Sequence, residues 1–247
     1  MFVDTHCHIH ESGYDRSEDA YERALRADVS KMVCVGTDDA SSKQAIAFAA
    51  TRDGAWASVG VHPHESIHGF EGVANIMKSM PAKLVAMGEI GLDYFYTHSP
   101  RDIQIQVFEA QLQLAADAHL PVIFHVREAF EDFWPIYANF TGLKGVLHSY
   151  TDSVKNLDRA LVEGLFVGVN GISTFSKTNQ DMWDRIPLER MLLETDSPFL
   201  TPAPHRGKVN EPAFVKHVAE YHAKRRAVEL EHLARVTSTN ASKLFSL

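Results

Sequence analysis

The sequence predicts a single-domain (β/α)8 TIM barrel of the α/β class, on three observations. Eight short apolar, β-branched runs alternate with helical patterns through all 247 residues, which is the arithmetic of eight βα units around a parallel sheet. No linker, low-complexity tract, charge block or sequence repeat divides the chain, so one domain spans 1–247. Ionisable residues stand where the apolar runs stop, and the C-terminal ends of the strands are where a barrel carries its active site. An open doubly wound sheet is the alternative arrangement of the same alternation.

In chain order, strands are expected at Phe2–His8, Lys31–Gly36, Ala55–Val61, Leu84–Ile90, Val122–Val126, Gly145–Ser149, Leu165–Val169 and Met191–Thr195. Helical periodicity falls between them at Glu18–Ala27, Ser41–Arg52, Gly72–Met80, Glu128–Phe140, Ser153–Glu163 and Gln180–Ile186, and Glu211–Lys224 and Val228–Phe245 close the chain. The clearest helix has Ser99 as cap, Pro100 at its first position and Asp102 in its first turn. Its apolar face is Ile105, Phe108, Leu112 and Ala115, and Pro121 stops it.

Composition excludes several classes. With 45% hydrophobic and 23% charged residues the chain is neither disordered nor collagen-like. No apolar stretch approaches the ~20 residues of a membrane span, and Met1-Phe2-Val3-Asp4 lacks the features of a signal peptide, so a cytoplasmic location is expected. Cys7 and Cys34 match no metal spacing and are expected as free thiols. The 24 Lys and Arg against 32 Asp and Glu give a net charge of −8, which excludes a sequence-independent nucleic-acid coat and leaves room for a local anion site. The unusual count is 14 histidines, and histidine is the commonest metal ligand.

Strand alternation puts His6 and His8 on one face, with Cys7 between them facing away. Strands four, five, six and eight end in Glu89, His125, His148 and Asp196. Six polar groups gathered unpaired at one mouth would cost several kcal/mol each, and metal ions satisfy them compactly.

These residues carry a family pattern. Asp4-Thr5-His6-Cys7-His8, Gly60-Val61-His62-Pro63-His64, Gly88-Glu89-Ile90-Gly91-Leu92-Asp93-Tyr94, His125-Val126-Arg127-Glu128-Ala129, Glu194-Thr195-Asp196-Ser197-Pro198, Arg206-Gly207-Lys208-Val209-Asn210-Glu211-Pro212 and Thr239-Asn240-Ala241-Ser242-Lys243-Leu244-Phe245 resemble the TatD-type metal-dependent deoxyribonucleases of the amidohydrolase superfamily. The resemblance implies two divalent ions, with His6, His8 and Asp196 on the first, His125 and His148 on the second, and Glu89 bridging both. It also implies action on DNA ends or, in related members, on aminoacyl-tRNA. The departure is Ser149-Tyr150-Thr151-Asp152, where the family has an aromatic followed by Ser-Gly, so the loop beside His148 is expected to differ.

By the same resemblance His62 and His64 contact substrate or phosphate, with a turn-forming structural role around Pro63 as the alternative. Arg206, in a glycine-containing loop after strand eight, is the candidate for a bidentate phosphate clamp. Strand parity places Asp4 and Glu194 one layer below His6 and Asp196, where they would orient ligands. Tyr94 and Phe95 are candidates for stacking on a base, and Lys224-Arg225-Arg226 reads as a helix C-terminal charge cluster. Imidazole-rich ligation favours zinc or manganese, although magnesium is common in family assays. Hydrolysis by metal-activated water is implied, with Glu89 and Asp196 catalytic and Asp196 the proton acceptor. Three functions stand: trimming of DNA or RNA ends as an exonuclease, hydrolysis of carboxylic esters or amides such as aminoacyl-tRNA, and a non-enzymatic metal-binding interaction protein. No obligate protein partner is indicated.

Overall fold

The computed structural model describes residues 1–247. The chain runs through β1 (Phe2–Cys7), α1 (Ser17–Arg26), β2 (Val29–Val35), α2 (Asp39–Ala50), β3 (Ala55–Val59), α3 (Glu71–Ser79), β4 (Leu84–Asp93) and α4 (Arg101–Asp117). It continues through β5 (Val122–Arg127), α5 (Phe130–Tyr137), β6 (Gly145–Leu147), α6 (Val154–Val162), β7 (Phe166–Val169), α7 (Ile172–Phe175), α8 (Gln180–Asp184), β8 (Met191–Leu193), α9 (Val215–Arg225) and α10 (Leu230–Phe245). The eight strands form one sheet in sequential order, each parallel to the next, as the alternation predicts.

The seam between first and last strands closes just past β8. The Asp196 N–H donates to the His6 carbonyl at 2.8 Å, and the His8 N–H donates to the Ser197 carbonyl at 2.8 Å. Asp4 reinforces it by accepting from the Thr195 N–H at 2.9 Å and from Thr195 Oγ1 at 2.6 Å.

The barrel is packed, not hollow. Val3, Val33, Val85, Ile123, Val146, Phe166 and Leu192 come from seven different strands into one apolar cluster, joined by half-buried Trp56 from β3. Ala241, Leu244 and Phe245 of α10 pack against the same cluster and cover it at the N-terminal end of the strands. A larger cluster of 51 buried residues seats the helices on the outer face. The polar site is therefore confined to the opposite, C-terminal end.

Several boundaries differ from the sequence expectation for identifiable reasons. Helix α2 begins at Asp39, two residues before the expected Ser41, because Asp38 caps it, accepting from the Ser41 N–H at 2.6 Å. Pro100, not Ser99, is the cap residue of α4. Ser99 Oγ instead donates to the His64 carbonyl at 2.7 Å and accepts from the Ile67 N–H at 3.0 Å, fixing the 3-10 turn Pro63–His68 after β3. Helix α5 begins at Phe130 because Glu128 takes a left-handed φ of 54°, which helical continuity forbids. A 3-10 turn at Pro212–Phe214 precedes α9, and the four-residue α7 is too short to leave a period in the sequence.

Strand β4 extends three residues past Ile90 because Gly91 lets it lie against β5. At Gly91, φ is +151°, and a Cβ there would stand 1.9 Å from the His125 carbonyl oxygen. The ladder continues through Gly91↔His125 to Asp93↔Arg127, which sets the height of Glu89 relative to His125.

Candidate metal centre

Strand β1 is irregular between Asp4 and Cys7, and it delivers His6 and His8 to the same side, their Nε2 atoms 3.1 Å apart. His8 Nδ1 faces the Val35 carbonyl at 2.9 Å; a carbonyl only accepts, so Nδ1 carries a proton. Its Nε2 faces Asp196 Oδ1 at 3.4 Å, and against the effect of burial Asp196 and Glu11 raise the ring well above the usual imidazole range, so without a metal Nε2 is protonated as well. His6 Nε2 lies 3.3 Å from Glu89 Oε2 and 3.6 Å from Asp196 Oδ1.

Glu89 is central. Its Oε1 meets His125 Nδ1 at 2.8 Å and stands 3.7 Å from His148 Nε2 and 3.8 Å from His62 Nε2. Three overlapping groups result, His6 with Glu89 and His148, His6 with His8 and Asp196, and His62 with Glu89 and His125, each with its donor atoms within 4.8 Å of one another. All six sequence-predicted ligands are thus brought together. One detail differs: the His148 ring stacks on His6 at 3.6 Å, so His148 groups with His6 and not with His125.

His62 has a different chemistry from its neighbours. Its Nδ1 accepts from the His64 N–H at 3.1 Å, so the proton of the neutral ring is on Nε2, which makes that atom a donor toward Glu89. Burial and the charge of His125 hold His62 well below the usual imidazole range, which keeps it in that neutral form.

The carboxylates and the other imidazoles share charge. Burial pushes the Glu89 carboxyl up, but the charges of His148 and His6 outweigh it and hold it well below the ordinary range. Asp196 is likewise lowered against burial by His148 and His8. Burial depresses His125 and His148, yet Asp93 and Glu89 raise the first to about 8, and Glu194, Glu89 and Asp196 raise the second to about 10. His6 is lowered by burial and by His148. No lysine or arginine lies within these groups, and His6 Nδ1 is buried without a partner. An imidazole and carboxylate donor set of this kind fits divalent ions.

Residues 3–246 match the family model described as TatD related DNase. The chain belongs to the TatD family. It is 37% identical over 254 residues to the uncharacterized metal-dependent hydrolase YabD of Bacillus subtilis, covering 100% of both chains. It is 37% identical over 238 residues to the 3′-5′ ssDNA/RNA exonuclease TatD of Erwinia tasmaniensis, covering 92% of each. Among solved structures, the TatD homolog YjjV of Escherichia coli superposes with a TM-score of 0.92 at 28% identity, over 100% of this chain and 98% of that one.

Around the TatD centre, the supporting residues divide. Glu194 Oε1 lies 3.1 Å from His148 Nδ1 and accepts from the Ser149 N–H at 2.6 Å, so it holds both ring and turn, as its parity suggests. Gly168 makes room for it, since a Cβ there would stand 2.3 Å from Glu194 Oε2. Asp4 does not touch the His6 ring; it takes the His6 N–H at 3.3 Å and Thr195, and so fixes backbone at the seam. Asp93, which the sequence argument did not single out, accepts from His64 and His125 Nε2 at 3.0 and 2.9 Å and from the Phe95 and Tyr96 N–H groups at 2.9 and 3.1 Å. Its alternation with Glu89 along β4 is the signal that would have found it.

Two further expectations are corrected. Arg206 does not reach the cleft: its Nη1 donates to the Thr201 carbonyl at 2.7 Å and its guanidinium lies 3.7 Å from the Phe175 ring centre, because the loop's own carbonyl captures it. Tyr94 does not stand free to stack, since its hydroxyl bonds Asp132 at 2.5 Å. In the departure after β6, Asp152 turns away to accept from Asn156 Nδ2 at 2.6 Å, leaving Thr151 on the cleft wall and His148 in place. Arg225 pairs with Asp184 at 2.6 Å and Arg226 donates to the Trp183 carbonyl at 2.6 Å, as a structural helix terminus would. Cys7 and Cys34 are free and buried. No helix is long and apolar enough to cross a membrane.

Proposed function

We propose that this TatD-family chain is a two-metal phosphodiesterase that trims single-stranded DNA or RNA from an end. The observation that carries the reading is Glu89, one carboxylate set among His6, His62, His125 and His148 at the floor of a cleft of about 730 Å³. His6, His8 and Asp196 would hold one ion; although His148 stacks on His6, it and His125 face the same Glu89 Oε1, at 3.7 and 2.8 Å, and would hold the other, with Glu89 shared. Bound divalent ions, zinc, manganese or magnesium, supply charge that lowers the pKa of water and polarises the ester. Asp196 is the proton acceptor, ionised at neutral pH and half-buried at the cleft wall. His62 Nε2 offers a donor to a substrate oxygen, and His64, whose one N–H is given to Asp93, lines the cleft beside it. The name of the Erwinia relative supports a nucleic-acid substrate, and buried free thiols suit a reducing, cytoplasmic setting.

With a net charge of −8 the molecule has no means to grip a long phosphate track, so a strand end is the expected substrate. Linear single-stranded DNA is expected to be degraded while circles of the same sequence persist, as gel analysis over time would show. Rapid cutting of circles, or turnover of carboxylic esters without any of phosphate diesters, would overturn the reading.

Metal uptake should be coupled to protons. His125, at about 8, His148, at about 10, and His8, raised well above the usual imidazole range by Asp196 and Glu11 despite burial, are protonated at pH 7, and a ligating imidazole must be neutral. Adding zinc or manganese at pH 7 is therefore expected to release about three protons per chain, and affinity should fall as pH falls. Calorimetry in buffers of different ionisation enthalpy measures the release, and elemental analysis gives the ion count. Uptake of no ion would contradict the assignment.

A further inference from the structure

Among the residues lining the cleft there is one lysine or arginine, Arg127. It is the last residue of β5, two positions beyond His125, so strand alternation turns it to the same side. Glu11 and Glu65 also line the cleft, so an anionic substrate meets repulsion there unless a cation answers it.

Arg127 has no carboxylate partner. Asp93 lies opposite it in the ladder, but both Asp93 oxygens are occupied by His64, His125 and the Phe95 and Tyr96 N–H groups. Asp132 of α5 is held by Arg101 and Tyr94. The Arg127 guanidinium instead sits 3.9 Å from the Phe95 ring centre and 5.0 Å from that of Tyr96. Stacking of this kind fixes the plane of the guanidinium and leaves its N–H edge free, the arrangement that binds phosphate through two parallel hydrogen bonds.

We infer that Arg127, held on the Phe95 and Tyr96 rings, recognises the phosphate of the substrate and makes this cleft selective for phosphodiesters over neutral esters. The inference rests on the phosphodiesterase reading above and adds the residue that determines specificity. Arg127 is a binding residue: it acts on the anion and leaves the donor set on the floor of the cleft as it is.

The test compares Arg127→Met with wild type on bis(p-nitrophenyl) phosphate and on p-nitrophenyl acetate. The ratio of kcat/KM for the diester to that for the acetate is expected to fall about 10- to 100-fold, mostly through KM, as loss of a charged hydrogen-bonding partner predicts. Arg127→Lys keeps the charge without the fork and is expected to fall between the two, and it serves if the Met variant does not accumulate folded. A second readout is binding of a nuclease-resistant phosphorothioate oligothymidylate at several salt concentrations. The slope of log affinity against log salt should become shallower by about 0.7 on losing one phosphate contact. Unchanged ratio and slope, with wild type active on the diester, would overturn this inference alone. A wild-type enzyme that hydrolyses acetate but neither cleaves diester nor binds oligonucleotide in a salt-dependent way would overturn both readings.

Discussion

Glu89→Gln is expected to lower kcat by about 10²- to 10³-fold while KM stays within a few-fold of wild type. The substitution keeps the shape of the side chain and removes its charge. That charge sits between His6 Nε2 at 3.3 Å and His125 Nδ1 at 2.8 Å, with His148 and His62 just beyond. A glutamine offers one oxygen where two are used, and turns an N–H₂ toward imidazoles that need an acceptor. Charge stabilisation specific to the transition state is lost, whereas substrate is held from other parts of the cleft. Steady-state kinetics on a phosphate diester, with ion content measured on the same preparation, checks the result. Near wild-type turnover would reduce Glu89 to a structural residue.

Gly91→Ala should be the most disruptive single-atom change in the barrel, costing about 3 to 5 kcal/mol of stability. Two penalties combine: a φ of +151° that alanine rarely adopts, and a Cβ placed 1.9 Å from a backbone oxygen that has no rotamer by which to yield. Relief requires β4 and β5 to separate, which parts Glu89 from His125. Gly142→Ala isolates the first penalty, since φ there is +82° with nothing within 4 Å, and it should cost about 1 kcal/mol. Thermal melts of both variants, beside activity, provide the comparison. Equal melting temperatures would show that the strands yield freely at Gly91.

The barrel is readable from sequence because strands buried on both faces are near-continuous apolar runs, and an ionisable residue ending such a run is conspicuous. His6, His8, Glu89, His125, His148 and Asp196 all stand out for that reason. Asp93 is hidden by the glycine two residues before it, which reads as a turn and in fact prolongs the strand. The choice between guanidiniums is similarly obscured. Arg206 sits beside a loop glycine and looks available, yet a carbonyl five residues back captures it. Arg127 looks like an ordinary strand end, and only the saturation of Asp93 by four other donors shows that it is free. Hydrogen-bond saturation is a property of assembled neighbours, not of spacing along a chain.

The seam between β1 and the segment after β8 also governs when the molecule becomes competent. Asp4 and Thr195, which tie it, are separated by 191 positions in the chain. His6 and His8 lie on one side of that seam and Asp196 on the other. Contacts so distant in sequence carry a large loop-closure entropy and form late. On a ribosome, the residues of the first seven strands are synthesised before Asp196, so His6 and His8 wait for their partner until the last strand emerges. On the assignment proposed above, ion capture by that triad would report ring closure, arriving with the final strand and separating finished molecules from nearly finished ones.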